Sequence, residues 1–148
     1  MARARIEQLQ LRPSPNALRW RLRSQRIHFM LALSRAFMRR RAELFNSLMS
    51  SLPRPLRVLD VGGVEQFWKH SPLYDDPGLE ITLLNIEDQT VDSPRIVSRT
   101  GDARDMSMFR DGEFDVVFSN SVIEHVGTFA DQRRMALEVQ RVSKPLLR

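Results

Sequence analysis

Residues 101–126 read Gly101-Asp102-Ala103-Arg104-Asp105-Met106-Ser107-Met108-Phe109-Arg110-Asp111-Gly112-Glu113-Phe114-Asp115-Val116-Val117-Phe118-Ser119-Asn120-Ser121-Val122-Ile123-Glu124-His125-Val126. The stretch opens on an acidic turn, crosses a polar loop and climbs into an apolar run. Val116, Val117 and Phe118 are contiguous and apolar, the pattern of a strand buried on both faces of a parallel sheet. The run stops abruptly at Ser119-Asn120-Ser121. In an open α/β sheet, that is where a strand's carboxyl end faces a ligand crevice. The spacing predicts a strand over 115–119, a loop, and then an amphipathic helix.

Three earlier stretches have the same character. Leu56-Arg57-Val58-Leu59-Asp60-Val61 is a short β-branched run that ends in Gly62-Gly63. A strand that feeds a glycine turn and then a helix opens a nucleotide-binding sheet, because glycine lets the backbone approach a ligand closely. Leu79 to Ile86 reads as a second buried strand, closed by Glu87-Asp88, and Arg95 to Ser98 as a third, following the Asp92-Ser93-Pro94 turn. At the other end, Thr128 is a predicted N-cap for a helix through Val142. Its expected buried stripe is Met135, Leu137 or Ala136, Val139 and Val142, with Arg133, Arg134 and Arg141 facing water. Phe67 and Trp68 read as core or rim packing, and His70 receives no role. The fold class is therefore α/β, a mostly parallel open sheet flanked by helices.

The charge is unevenly spread. The 148 residues carry a net +5. Within residues 1–50, 11 arginines against Glu7 and Glu43 give +9; beyond them, 12 basic against 16 acidic residues give −4. The basic character belongs to the N-terminal segment, so the overall balance does not by itself indicate a nucleic-acid-binding domain. Residues 1–23, with Pro13 and Pro15, have no steady apolar period and are expected to form a loosely docked arm. From Ser24 to Ser51, Ile27, Leu31, Ser34, Met38, Phe45, Leu48 and Leu52 fall near a 3.6 period. They predict one long amphipathic helix ending before Pro53. The readings for this segment are a solvated helix capping the sheet, a contact with an anionic surface, and an Arg-rich transit peptide. Domain limits are expected at 1–52 and 53–148. Without cysteine there is no disulfide or thiolate chemistry. No apolar run approaches the roughly 18–20 residues needed to span a membrane, and a cytoplasmic location is expected.

Taken together, the glycine turn after the first strand, Gly101-Asp102-Ala103, and the Phe114 to His125 stretch resemble the class I S-adenosylmethionine-dependent methyltransferases. The stretch looks most like the small-molecule "type 11" group, and the resemblance covers roughly residues 53–145. The resemblance implies a Rossmann-like sheet in the order 3-2-1-4 and S-adenosylmethionine as cofactor. It places Asp60 and Gly62 at the first fixed positions of the glycine motif, with Gly63 as an extra glycine. The motif's later glycines fall on Val64 and Gln66, a departure. The ribose carboxylate of the family falls on Asn85, with Glu87 as the alternative partner. Asp102 would accept from the adenine amino group, and the Ala103 backbone would meet a ring nitrogen. That set is complementary to a donor beside an acceptor. Asn120 and Ser121 would lie along the methionine portion and face the acceptor. His125 is the candidate catalytic base, although in this group the Glu-His pair more often orients the loop. No metal is implied.

The family's sheet has seven strands, and four are legible here. The expectation is a C-terminally truncated methyltransferase acting on an unidentified, small-molecule acceptor. The alternative is a non-catalytic S-adenosylmethionine-binding remnant or interaction module. The rivals are a nucleotide-sugar or NAD-binding Rossmann domain and a basic-arm nucleic-acid binder. An uncovered fourth strand is a liability that invites self-association.

Overall fold

The computed structural model describes residues 37–145. The predicted arm over 1–23, the predicted helical residues 24–36 and the terminal Leu146-Leu147-Arg148 lie outside them. The chain divides into two units, Met1–Glu43 and Leu44–Arg148. In the first, residues 37–43 are helical, and Arg39 Nε lies 3.3 Å from Glu43 Oε1 one turn later.

The second unit begins with helical residues 44–51, α1. Then follow β1 (Leu56–Val61), α2 (Glu65–Lys69), β2 (Leu79–Asn85), β3 (Ile96–Thr100), β4 (Val116–Ser119), a 3-10 turn over Ile123–His125, and α3 (Phe129–Val142). The four strands form one parallel sheet in the order β3-β2-β1-β4. The fold class is the one the sequence predicts, and the strand order is the one the resemblance implies.

Side chains alternate across the pleat, and each face has its own core. Leu56 and Val58 of β1, Leu79, Ile81 and Leu83 of β2 and Ile96 of β3 pack with Met49, Trp68 and Leu73. Leu59, Val61 and Leu84 point the other way, onto Met106, Phe109, Phe114, Met135 and Val142. On the first face Phe45 and Phe67 flank Phe118, with centroids 4.2 and 5.5 Å from it.

Several boundaries shift for identifiable reasons. β4 begins at Val116 because the Asp115 carboxylate takes the Arg57 N–H at 2.8 Å, standing in for a ladder carbonyl. β2 ends at Asn85, whose own Oδ1 accepts the Ile86 N–H at 2.8 Å. In α1 the inward residues are Phe45 and Met49, one turn apart, whereas Leu48 is 58% exposed. In α3 the buried positions are Met135 and Val142, with Val139 partly buried. Leu137 is 48% exposed, and Ala136 is exposed as well, so neither completes the expected stripe.

Arg141 also departs from expectation. It does not face open water but donates to the Met106 and Phe109 carbonyls, both at 2.9 Å, and pairs with Glu138 and Asp111. Glu138 in turn accepts the Met106 N–H at 2.7 Å. This network ties the segment before β4 onto α3. After α3 the chain returns to β4's outer side: Phe114 N–H bonds the Val142 carbonyl and Lys144 N–H bonds the Phe114 carbonyl. Beyond that point, among the described residues, β1 is the strand that pairs with β4.

Candidate functional site

The carboxyl ends of β1, β2, β3 and β4 open on one side of the sheet. There they frame a cavity of about 520 Å³. Val61-Gly62, Leu84-Asn85-Ile86, Gly101 to Arg104, Ser121-Val122 and His125 to Gly127 line it. Of the residues singled out in the sequence, this brings together Gly62, Asn85, Asp102, Ala103, Ser121 and His125. Asp60, Gly63, Glu87 and Asn120 stand outside the lining.

The glycine turn is shaped by contacts from two sides. Gly62 has φ +77°, and a Cβ there would meet Val122 Cγ2 at 2.3 Å. Only glycine fits both the backbone and the neighbour. Gly63 leans on Asp60, whose carboxylate a Cβ would meet at 2.2 Å. The Gly63 carbonyl is held by Asn85 Nδ2 at 3.3 Å and Gln89 Nε2 at 3.2 Å. Gln89 is thus a tie to the turn that sequence reasoning did not find. Asn85 keeps the turn in place while its side-chain oxygen is engaged by Ile86 N–H.

Asp60 points away from the cavity. It is 2% exposed and accepts the Trp68 indole N–H at 2.9 Å. Burial drives its pKa up and the indole bond lowers it, leaving it at about 7. A charged carboxylate in that position is costly, so the acid form is favoured.

A second buried carboxylate, Glu65, was not singled out in the sequence. It accepts the Asp92 and Ser93 N–H groups at 3.0 and 2.9 Å and the Tyr74 hydroxyl at 3.0 Å, and it pairs with Lys69. Burial pushes its pKa up, but these donors outweigh it and hold the group at about 2. It clamps α2 to the loop before β3 and contributes nothing to the cavity wall.

On the β3 side, Arg104 closes on Asp102. Its backbone N–H donates to Oδ1 at 2.8 Å, and its Nε lies 2.9 and 3.0 Å from the two oxygens. Arg104 Nη2 pairs with Oδ2 as well. These donors hold the Asp102 carboxyl below its ordinary pKa. The Thr128 hydroxyl and the Asp131 carboxylate form a reciprocal capping box at the start of α3. Ser121, in the loop after β4, has φ +58°. Non-glycine residues in that region are uncommon and cluster in functional loops. His125 is on the exposed turn beside it. The cavity thus offers a carboxylate, a guanidinium, an imidazole and a glycine turn, held at the ends of a rigid sheet.

A methyltransferase-domain family model matches residues 68–146, more than half of the chain. β1 and the glycine turn precede the matched segment. YcgJ from Bacillus subtilis superposes with TM-score 0.54 at 22% identity, over 70% of this chain and 45% of that one. A chain of the Haloferax volcanii complex that contains the Trm112 methyltransferase activator gives TM-score 0.53 at 20% identity, over 64% and 43%. The Burkholderia thailandensis 1,6-didemethyltoxoflavin-N1-methyltransferase, solved with S-adenosylhomocysteine, gives TM-score 0.51 at 15% identity, over 90% and 61%. At these identities the likeness concerns the fold. The chain spans 43–61% of the length of these structures. No curated protein matches the sequence. Among the described residues, no helix is long and apolar enough to cross a membrane.

Proposed function

The chain belongs to the methyltransferase-domain family, and on that premise we propose that its cavity binds S-adenosylmethionine for methyl transfer to a small-molecule acceptor. The carrying observation is the convergence of Gly62, Asn85, Asp102 and Ala103, from three different strand ends, on one cavity. The donor set fits the group. Asp102 offers an acceptor beside the Ala103 backbone, the complement of an adenine edge. The missing Cβ at Gly62 admits the Val122 side chain, so that both residues form the cavity wall at the end of β1. The cofactor supplies a methyl group activated on a sulfonium.

The protein's contribution is to hold and orient. Positioning of two reactants accounts for much of the rate of such a displacement. Gly62 and Ser121 form the walls next to the glycine turn; Asp102 and Ala103 form the purine side. Asp60 and Gly63 support the turn from behind. His125 is assigned the proton-accepting role toward the acceptor. Equilibrium dialysis of the full chain against radiolabelled S-adenosylmethionine tests the reading. Saturable retention, displaced by S-adenosylhomocysteine, supports it; no retention at millimolar ligand contradicts it.

A further inference from the structure

The purine side of the cavity is already engaged by the chain itself. Asp102 has two oxygens with room for about four donors. Arg104 alone makes four contacts, its backbone N–H and Nε–H on Oδ1 and its Nε–H and Nη2–H on Oδ2. The same guanidinium also meets the capped start of α3, with Nη1 3.5 Å from Asp131 Oδ1. One side chain therefore links the turn after β3, which lines the cavity, to the first turn of α3, which begins just after the lining residues Val126 and Gly127. The Arg104 and Asp102 side chains are 41% and 42% exposed. Opening the pair into water gives up the Asp102 contacts and the Nη1 contact with Asp131, whose side chain is 15% exposed.

We propose that Arg104 is a displaceable strap over the purine end of the cavity, one that an adenosyl ligand must swing aside to reach Asp102. The inference rests on the functional reading above and adds a specificity device to it. A ligand whose edge carries an amino group can replace the guanidinium on the carboxylate. A 6-oxo purine presents an acceptor there and leaves Asp102 to its arginine. Arg104 thus opposes every ligand somewhat and opposes the 6-oxo purine most, relative to what it gains.

The strap makes two predictions that a merely structural arginine does not. An exposed ion pair is weak and screened by salt. S-adenosylhomocysteine carries no net charge at pH 7.5, so its own binding has little salt dependence. Titration calorimetry on the full chain should show R104A binding S-adenosylhomocysteine about three- to fivefold more tightly than wild type at 50 mM NaCl. Raising NaCl to about 500 mM should close most of that gap by tightening wild type alone. R104K, which keeps the charge but not the fork, should fall between them. Equal or weaker binding by R104A, or a gap that salt leaves unchanged, overturns the strap and leaves the functional reading standing. No heat with any of the three proteins, each shown folded by its melt, overturns both.

Discussion

Trp68 donates its indole N–H to Asp60 Oδ2 at 2.9 Å, inside a core where the two residues are 0% and 2% exposed. The pair sits directly behind the glycine turn. Asp60 titrates at about 7 in the folded chain against 3.8 for the unfolded group. The native state therefore holds the proton more tightly. The stabilisation from this group is full below about pH 3.8 and is lost as pH rises through 7. Denaturant unfolding at pH 5, 6, 7 and 8 should show wild type losing stability relative to D60N. The slope should not exceed about 1.4 kcal/mol per pH unit. Parallel curves would contradict it.

Glu65 has the opposite sign. Its folded value of about 2 lies below the unfolded 4.5. Its contribution is present above pH 4.5 and fades as pH falls toward 2. E65A orphans the Asp92 and Ser93 N–H groups and leaves Lys69 paired with Asp92 alone. A loss of about 3 kcal/mol is expected at pH 7. Y74F, which removes one of several donors, should cost about 1 kcal/mol. Urea midpoints measure both, and a smaller loss for E65A than for Y74F would refute the clamp.

At Gly62 two costs coincide, the φ of +77° and the Val122 contact. G62A should destabilise by about 2–3 kcal/mol, the backbone part alone being about 1–2. V122A in the same chain should recover the steric part and leave the backbone part. A double-mutant cycle reads this coupling directly. Strict additivity would show that Val122 does not press on the turn.

Arg141 fastens residues 106–111 to α3 through two carbonyls and two carboxylates. Lysine cannot reproduce that fork. R141K should speed amide exchange across 106–111 while leaving β1 and β2 protected. Uniform acceleration over the whole sheet would mean that the network is not local.

The sheet was legible because its information is local. Apolar β-branched runs, each ending in Gly, Asn or Ser, state both the strand and its cavity-facing end. The α3 cap was legible for the same reason, since Thr128 is a capping residue type directly before the helical run; its partner Asp131 was not part of that reading. What escaped depends on partners distant in sequence. Glu65 meets Ser93 and Arg141 meets Met106, and neither bond leaves a mark in the neighbouring residues. Leu137 was misplaced because, two residues after Met135, it lies about 200° round the helix from the buried stripe. The ring cluster of Phe45, Phe67 and Phe118 is of the distant kind too. At the cavity, residue type and order pointed to Asp102 and Gly62. The Arg104 contact with Asp102, only two residues away, was in reach of an Asx-turn argument and went unread.

The central claim is that Asp102 recognises an adenosyl ligand at the end of β3. Calorimetric titration of wild type and D102A with S-adenosylhomocysteine tests it most directly. A hydrogen bond to a charged acceptor is worth about 1.5–3 kcal/mol. The account predicts saturable heat for wild type and binding at least about tenfold weaker for D102A, with the melting temperature little changed. Indistinguishable affinities in two folded proteins would contradict it.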